Sequence, residues 1–331
     1  MNFAYRYIQF NLKWIFLFFF KKVHYKGLHH IPKKSAVIYV VNHQNTVVDA
    51  LLTGIPLQKE LNFLVKADAF KGKLANKILR FLKLIPIYRT SDNLGNISEK
   101  NKAVFTNCAH LLAKHQDILI FPEGRSVAIH QITPIKKGLS RIIEETIHLY
   151  PKIDLKIIPV CINYENHFIP NHKVWVEFLK PISIYNQSFN SKIFNDSIQK
   201  IFIENLIQLP PKYPVIKNFF RGLISTFPKT FNNTVGNLKN NYFDELPKVK
   251  KSHWIHLLFF PVNWCIQKLI RKTNDSDYQL SILLLSIIVL LSILLILNIL
   301  AIFFNSSWCI VSLIYLVLLP FWIKKLHQYN W

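Results

Sequence analysis

Val37-Ile-Tyr-Val-Val-Asn-His-Gln-Asn-Thr-Val-Val-Asp49 is the stretch from which the fold is read. Ala36 to Val41 is an unbroken apolar run, the mark of a strand buried on both faces. It stops on Asn42 and His43, and a short polar segment carries Asp49 six positions after the histidine. A histidine just beyond a strand end, with a carboxylate close in sequence, has the parts of a base and its orienter. The imidazole takes a proton near neutral pH, and the carboxylate holds the tautomer that leaves the other ring nitrogen available. A structural alternative exists for the same residues, because Thr46-x-x-Asp49 fits a helix capping box with Thr46 as N-cap.

Outward from this stretch, short apolar strands alternate with amphipathic helices between Ile31 and about Leu209, the pattern of a sheet built from βαβ units. Strands are expected over Ala36–Val41, Leu61–Val65, Leu84–Tyr88, Asp117–Phe121, Leu155–Asn163 and Val174–Leu179. Helices are expected over Val47–Leu57, Phe70–Phe81, Ile97–Lys114, Lys137–Leu149 and Ile193–Leu209. Several strands end as the first does. Leu84-Ile-Pro-Ile-Tyr-Arg89 ends on an arginine, Ile118-Leu-Ile-Phe-Pro-Glu-Gly-Arg-Ser126 on Glu123, Gly124, Arg125 and Ser126, and Ile157-Ile-Pro-Val-Cys-Ile-Asn163 on an asparagine. Open α/β sheets bind ligands at the carboxyl ends of their strands. Parallel strands would therefore bring His43, Arg89 and Glu123 to one edge.

The 331 residues are 51% apolar, with 26 Phe and only 8 Gly, and the excess is concentrated at the ends. Gln279 to Ile323 runs for 45 residues without an Asp, Glu, Lys or Arg. Gln279–Phe304, 26 residues, would be roughly 39 Å long as a helix, enough to cross a bilayer core of about 30 Å. Trp308–Ile323 is a shorter second arm interrupted by Pro320. Lys268, Arg271 and Lys272 precede the block, and Lys324 and Lys325 follow it, so a C-terminal transmembrane hairpin with both ends and the α/β domain on the cytoplasmic side is expected. At the other end Trp14-Ile-Phe-Leu-Phe-Phe-Phe20 precedes Lys21 and Lys22, which suits a membrane-associated interfacial helix. The expected organisation is an N-terminal helix over 1–25, an α/β domain over 26–209, a linker and interfacial segment with aromatic anchors over 210–275, and transmembrane helices over 276–331.

A net charge of +23 raises the question of a nucleic-acid partner. No zinc-ligand spacing, recognition helix or aromatic RNA motif accompanies it, so no nucleic acid is expected. A protein facing anionic lipid and handling anionic substrates needs the same charge. The scattered Cys108, Cys161, Cys265 and Cys309 form no C-x-x-C, and reduced thiols are expected.

The ordered set Asn-His-Gln-Asn-Thr-Val-Val-Asp, Ile-Pro-Ile-Tyr-Arg, Phe-Pro-Glu-Gly-Arg-Ser and Ile-Ile-Pro-Val resembles the four blocks of the glycerolipid acyltransferase superfamily, which includes lysophosphatidate and glycerol-3-phosphate acyltransferases. The resemblance implies a glycerol-phosphate acyltransferase-type α/β fold, a mixed or parallel sheet flanked by helices. It implies His43 as the general base on the acceptor hydroxyl and Asp49 as its orienter. Arg89 would bind the glycerol phosphate, and Glu123, Gly124, Arg125 and Ser126 would complete the substrate-binding set. The co-substrate would be an acyl-CoA or acyl carrier protein thioester, with no bound cofactor and no metal. Membrane lipid would be the remaining partner. Two departures mark the chain within this resemblance: five residues rather than four separate His43 from Asp49, and Gly124 adjoins Arg125 where the common motif has one residue between them. A non-catalytic membrane-anchored scaffold with a degenerate site is the alternative reading.

Overall fold

The computed structural model describes residues 3–89, 96–167, 170–185, 189–208, 259–273, 279–303 and 308–325. The helices are α1 (Phe3–Phe19), α2 (Thr46–Leu57), α3 (Lys73–Phe81), α4 (Ile97–Ala113), α5 (Gly138–Leu149), α6 (Ser191–Asn205), α7 (Phe260–Thr273), α8 (Gln279–Phe303) and α9 (Trp308–Lys325). The strands are β1 (Lys22–Lys26), β2 (Ala36–Val41), β3 (Asn62–Lys66), β4 (Leu84–Ile87), β5 (Ile118–Ile120), β6 (Leu155–Tyr164), β7 (Lys173–Phe178) and β8 (Ile182–Ser183). Every expected strand of the α/β domain is present within a residue or so of its bounds. Residues 210–258 of the expected linker and interfacial segment, and 305–307 between the two arms of the C-terminal block, lie outside the described residues.

The strands form one mixed sheet in the order β1-β7-β6-β2-β5-β3-β4, with β8 alongside β6. The half that carries the motifs is parallel: β2 pairs with β5 and β6, and β3 with β5 and β4. The turn back is antiparallel, from β6 to β7 and β8. Strand β2 is central and all six of its residues are buried, as an apolar β-branched run demands. Alternation along it feeds two cores. Ala36, Ile38 and Val40 face α4, α5 and α6, while Val37, Tyr39 and Val41 face α2, α1, α8 and α9. Strand β1 was not expected. Its edge pairing with β7 depends on Gly27, whose φ of 77° and whose approach to the Phe178 carbonyl (1.9 Å from where a Cβ would sit) exclude other residues.

The C-terminal expectation needs correction. Among the described residues no helix is long and apolar enough to cross a membrane, so a transmembrane hairpin is not supported. The uncharged block instead folds as two helices that pack on the domain. Leu283, Leu284 and Ile287 of α8 and Leu319, Trp322 and Ile323 of α9 are buried in one cluster with Leu12, Ile15, Phe16 and Phe19 of α1 and with Val48 and Leu52 of α2. Trp322 stacks on Phe259 with ring centroids 4.7 Å apart, and its indole N–H donates to Asn263 Oδ1 at 3.2 Å. Part of the apolarity that suggested a bilayer thus serves protein packing. The N-terminal helix follows the same rule, with its inner face in this cluster and Phe10, Trp14 and Leu17 exposed outward.

Candidate active site

Strand β2 ends where the Asn42 side chain takes over its ladder. Asn42 Nδ2 donates to the Ile162 carbonyl at 2.9 Å and its Oδ1 accepts the Ile162 N–H at 2.7 Å. This fixes the point at which the chain leaves the sheet and turns His43 over the carboxyl edge. The imidazole lies against Phe121 at the end of β5, with ring centroids 3.8 Å apart and planes 10° from parallel.

His43 Nδ1 is 3.0 Å from Asp49 Oδ2, so five intervening residues still bring the pair within hydrogen-bond reach. Asp49 is fully buried and its carboxylate is an organising centre. Oδ2 also accepts the backbone N–H of Gln44 at 2.8 Å and of Asn45 at 2.7 Å, while Oδ1 accepts the Tyr164 hydroxyl at 2.6 Å. Oδ2 accepts from every neighbour it meets, which makes Nδ1 of His43 the nitrogen that carries the proton toward it. Burial and the neighbouring Asp49 push the Tyr164 phenol well above its ordinary range, so it stays a donor. The N-cap of α2 is Asn45 rather than Thr46, and Asp49 reaches back to that residue's N–H. Capping and orienting are therefore performed by one carboxylate. The loop turns at Thr46, whose φ of 29° is unusual for a β-branched residue. Its N–H donates to Ser126 Oγ at 3.0 Å.

The third block holds this loop from the other side. Glu123 Oε1 accepts the His43 N–H at 2.6 Å, and Oε2 accepts the N–H and hydroxyl of Thr133 at 2.9 and 2.6 Å. Burial raises the Glu123 carboxyl above its ordinary value, against those hydrogen bonds, which lower it. Gly124 adopts a φ of 72°, with the Lys136 stem beside it. Glu123 and Ser126, expected among the substrate-binding residues, thus have side-chain oxygens in hydrogen bonds to the protein. Arg125 is exposed.

Arg89 follows β4 at the same carboxyl edge. Its backbone is set by Asn101 of α4, which accepts the Tyr88 N–H at 3.0 Å and donates to the Tyr88 carbonyl at 2.9 Å. Because the sheet runs β2-β5-β3-β4, Arg89 stands three strands from His43, roughly 14 Å along the edge. Lys66 ends β3 between them. Among the described residues, no three His, Cys, Asp or Glu side chains are grouped to hold a metal ion. Cys108, Cys161 and Cys265 are free thiols, and burial pushes the Cys108 thiol up to about 12.

Sequence reading missed three contributors. Tyr164 lies one residue past the expected end of its strand. His167 touches Gln44 Oε1 through Nε2 at 3.1 Å and accepts from Asn45 Nδ2 through its carbonyl at 3.0 Å. Ser281, in the first turn of α8, meets the Thr46 hydroxyl and the Asn45 carbonyl. A polar side chain after a strand was the only local signal for Tyr164. Ser281 had none, since 235 residues separate it from Thr46.

Residues 22–163 match the Acyltransferase family model. No curated protein matches the chain. Among solved structures, it is similar to the crystal structure of the 1-acyl-sn-glycerophosphate (LPA) acyltransferase, PlsC, from Thermotoga maritima. Identity is 19% over 61% of this chain and 80% of that chain, with a TM-score of 0.42, a likeness too slight to carry an argument. The family match spans β1 to the end of β6 and so includes His43, Asp49, Arg89 and the Glu123 turn. Over residues 22–163, 142 of its 331 residues, this chain is thus similar to the Acyltransferase family.

Proposed function

We propose that the protein transfers a fatty acyl group from an acyl-CoA or acyl carrier protein thioester to the hydroxyl of glycerol-3-phosphate or 1-acylglycerol-3-phosphate, at a membrane surface. The observation that carries this reading is the His43–Asp49 pair, 3.0 Å apart on a buried carboxylate, at the edge that also ends on Arg89. With Nδ1 protonated toward Asp49, Nε2 of His43 takes the proton of the acceptor hydroxyl as that oxygen attacks the thioester carbonyl carbon. The tetrahedral intermediate collapses by breaking the carbon–sulfur bond, and the imidazolium returns its proton to the departing thiolate. No acyl-enzyme is needed. Asp49 stabilises the imidazolium while it lasts.

Arg89 binds the acceptor phosphate in this reading, since a guanidinium matches phosphate oxygens in pairs. The five-residue spacing between His43 and Asp49 resembles that of some glycerol-3-phosphate acyltransferases, which tilts the acceptor slightly toward glycerol-3-phosphate. Membrane association is supported by three apolar stripes on outer helix faces: Phe10, Trp14 and Leu17 on α1, Leu285, Val289 and Ile293 on α8, and Ile314, Val317 and Phe321 on α9. Helical spacing puts each set on one face.

The test offers palmitoyl-CoA, then palmitoyl carrier protein, with either acceptor to the detergent-solubilised chain and its Arg89→Ala variant. Losing charge-assisted bonds of about 1.5–3 kcal/mol should raise the acceptor KM roughly 10- to 100-fold and leave the donor KM unmoved. An unchanged acceptor KM would contradict the role of Arg89.

A further inference from the structure

Helix α3 has no buried residue, and its outward face is not polar. At about 100° per residue, Leu74, Ile78 and Phe81 fall on one stripe and Lys73, Lys77 and Arg80 on the next. The domain side is left to Ala75 and Leu79. Leu74 is 72% exposed, Ile78 48% and Phe81 56%, an unusual display for three large apolar side chains on nine residues. The three cations are exposed as well, and α3 contains no acid. The nearby carboxylates are engaged: Asp68 pairs with Lys66 and Lys71, and Glu60 with Lys83.

We propose that α3 is an anionic-lipid docking element, laying Leu74, Ile78 and Phe81 into the acyl-chain boundary while Lys73, Lys77 and Arg80 bind lipid phosphates. The paired apolar and basic stripes match the layered chemistry of an anionic bilayer surface. An acidic protein would complement the charge but leave the apolar stripe without a counterpart. Placement agrees. By the right-handed rule for parallel β–α–β units, the β3–α3–β4 crossover puts α3 on the side of the sheet taken by α2, where α1, α8 and α9 carry their exposed stripes. Only six residues, among them a 3-10 turn over Ala67–Phe70, join the carboxyl edge at Lys66 to the amino end of α3. Lipid bound along this face would therefore lie beside the edge where Arg89 and His43 end their strands.

The experiment uses the full chain in vesicles and reads no activity, so it fails or succeeds apart from the acyl-transfer reading. Ile78→Cys is labelled with an environment-sensitive fluorophore after Cys265→Ser and Cys309→Ser, Cys108 and Cys161 being buried. In vesicles of phosphatidylcholine with one-third phosphatidylglycerol, the label should emit at shorter wavelength and be quenched by brominated acyl chains, and in phosphatidylcholine alone much less so. Each cation contributes about five-fold to binding an anionic surface. Lys73→Glu with Lys77→Glu and Arg80→Glu, all exposed and so not expected to disturb folding, should cut the docked-to-free ratio at least about 10-fold. A label that stays aqueous in both vesicles would overturn the proposal. So would equal quenching in both, or a label shielded only when an acidic carrier protein is added.

Discussion

Replacing Asp49 by asparagine tests the organising centre of the site with little change of shape. An amide oxygen in place of Oδ2 can still accept from His43, Gln44 and Asn45, and the amide nitrogen can donate to the Tyr164 oxygen, so the fold should persist. What is lost is the negative charge 3.0 Å from the ring nitrogen. At an effective dielectric constant of about 20, a unit charge pair at that separation is worth about 5 kcal/mol. This is a ceiling, because the His43 side chain is 13% exposed and solvent screens part of it. At about 1.4 kcal/mol per decade of rate, the imidazolium-forming step should slow by roughly 10²- to 10⁴-fold. The assay is acyl transfer by the solubilised chain under saturating donor and acceptor, with circular dichroism matched to the parent. The loss should lie in kcat, with both KM values little moved. An Asp49→Asn protein turning over within about three-fold of the parent would refute the orienting role.

Two further outcomes follow from the same geometry. Tyr164→Phe removes the 2.6 Å donor from Asp49 Oδ1 and leaves that buried oxygen with one partner fewer. Stability should fall by about 1.5–3 kcal/mol in denaturant melts and kcat by about 10-fold, and a variant unchanged in both would contradict the part given to Tyr164. Glu123 gives a pH signature. Its carboxyl is raised above the ordinary 4.5 by burial, so the folded protein holds that proton to higher pH than the unfolded chain. The resulting stability is fully present below about pH 4.5 and is lost as pH rises through the folded value, by up to about 1.4 kcal/mol per pH unit. Glu123→Gln, which does not titrate, should flatten the melting-temperature profile over that interval, and parallel profiles would refute the assignment.

The parallel half of the sheet was legible because its strands are apolar on both faces and stop abruptly on polar residues. His43, Arg89 and Glu123 could be brought to one edge by that rule alone. Asp49 was legible as a pair partner but not as a hub, since Tyr164 and the Gln44 and Asn45 amides meet it only when β6 and the α2 turn come together. Glu123 and Ser126 were named for substrate binding by the resemblance, which says nothing of their contacts to the protein. The backbone N–H groups of His43 and Thr46 that face them are set by tertiary structure. Strand β1, Lys-Val-His-Tyr-Lys, has charges at both ends and no apolar run, and it is a strand because β7 offers a free edge. Hydropathy overstated the C-terminal helices as spans, because it cannot tell an apolar face turned to a protein core from one turned to lipid.

The most direct test of the central claim is the rate of acyl transfer by His43→Ala beside the parent chain, with the acceptor that the parent uses. His43 is the base in this account, so kcat should fall at least about 10²-fold while the variant keeps the parent's fold by circular dichroism. A folded His43→Ala protein that acylates its acceptor at the parent rate would contradict it.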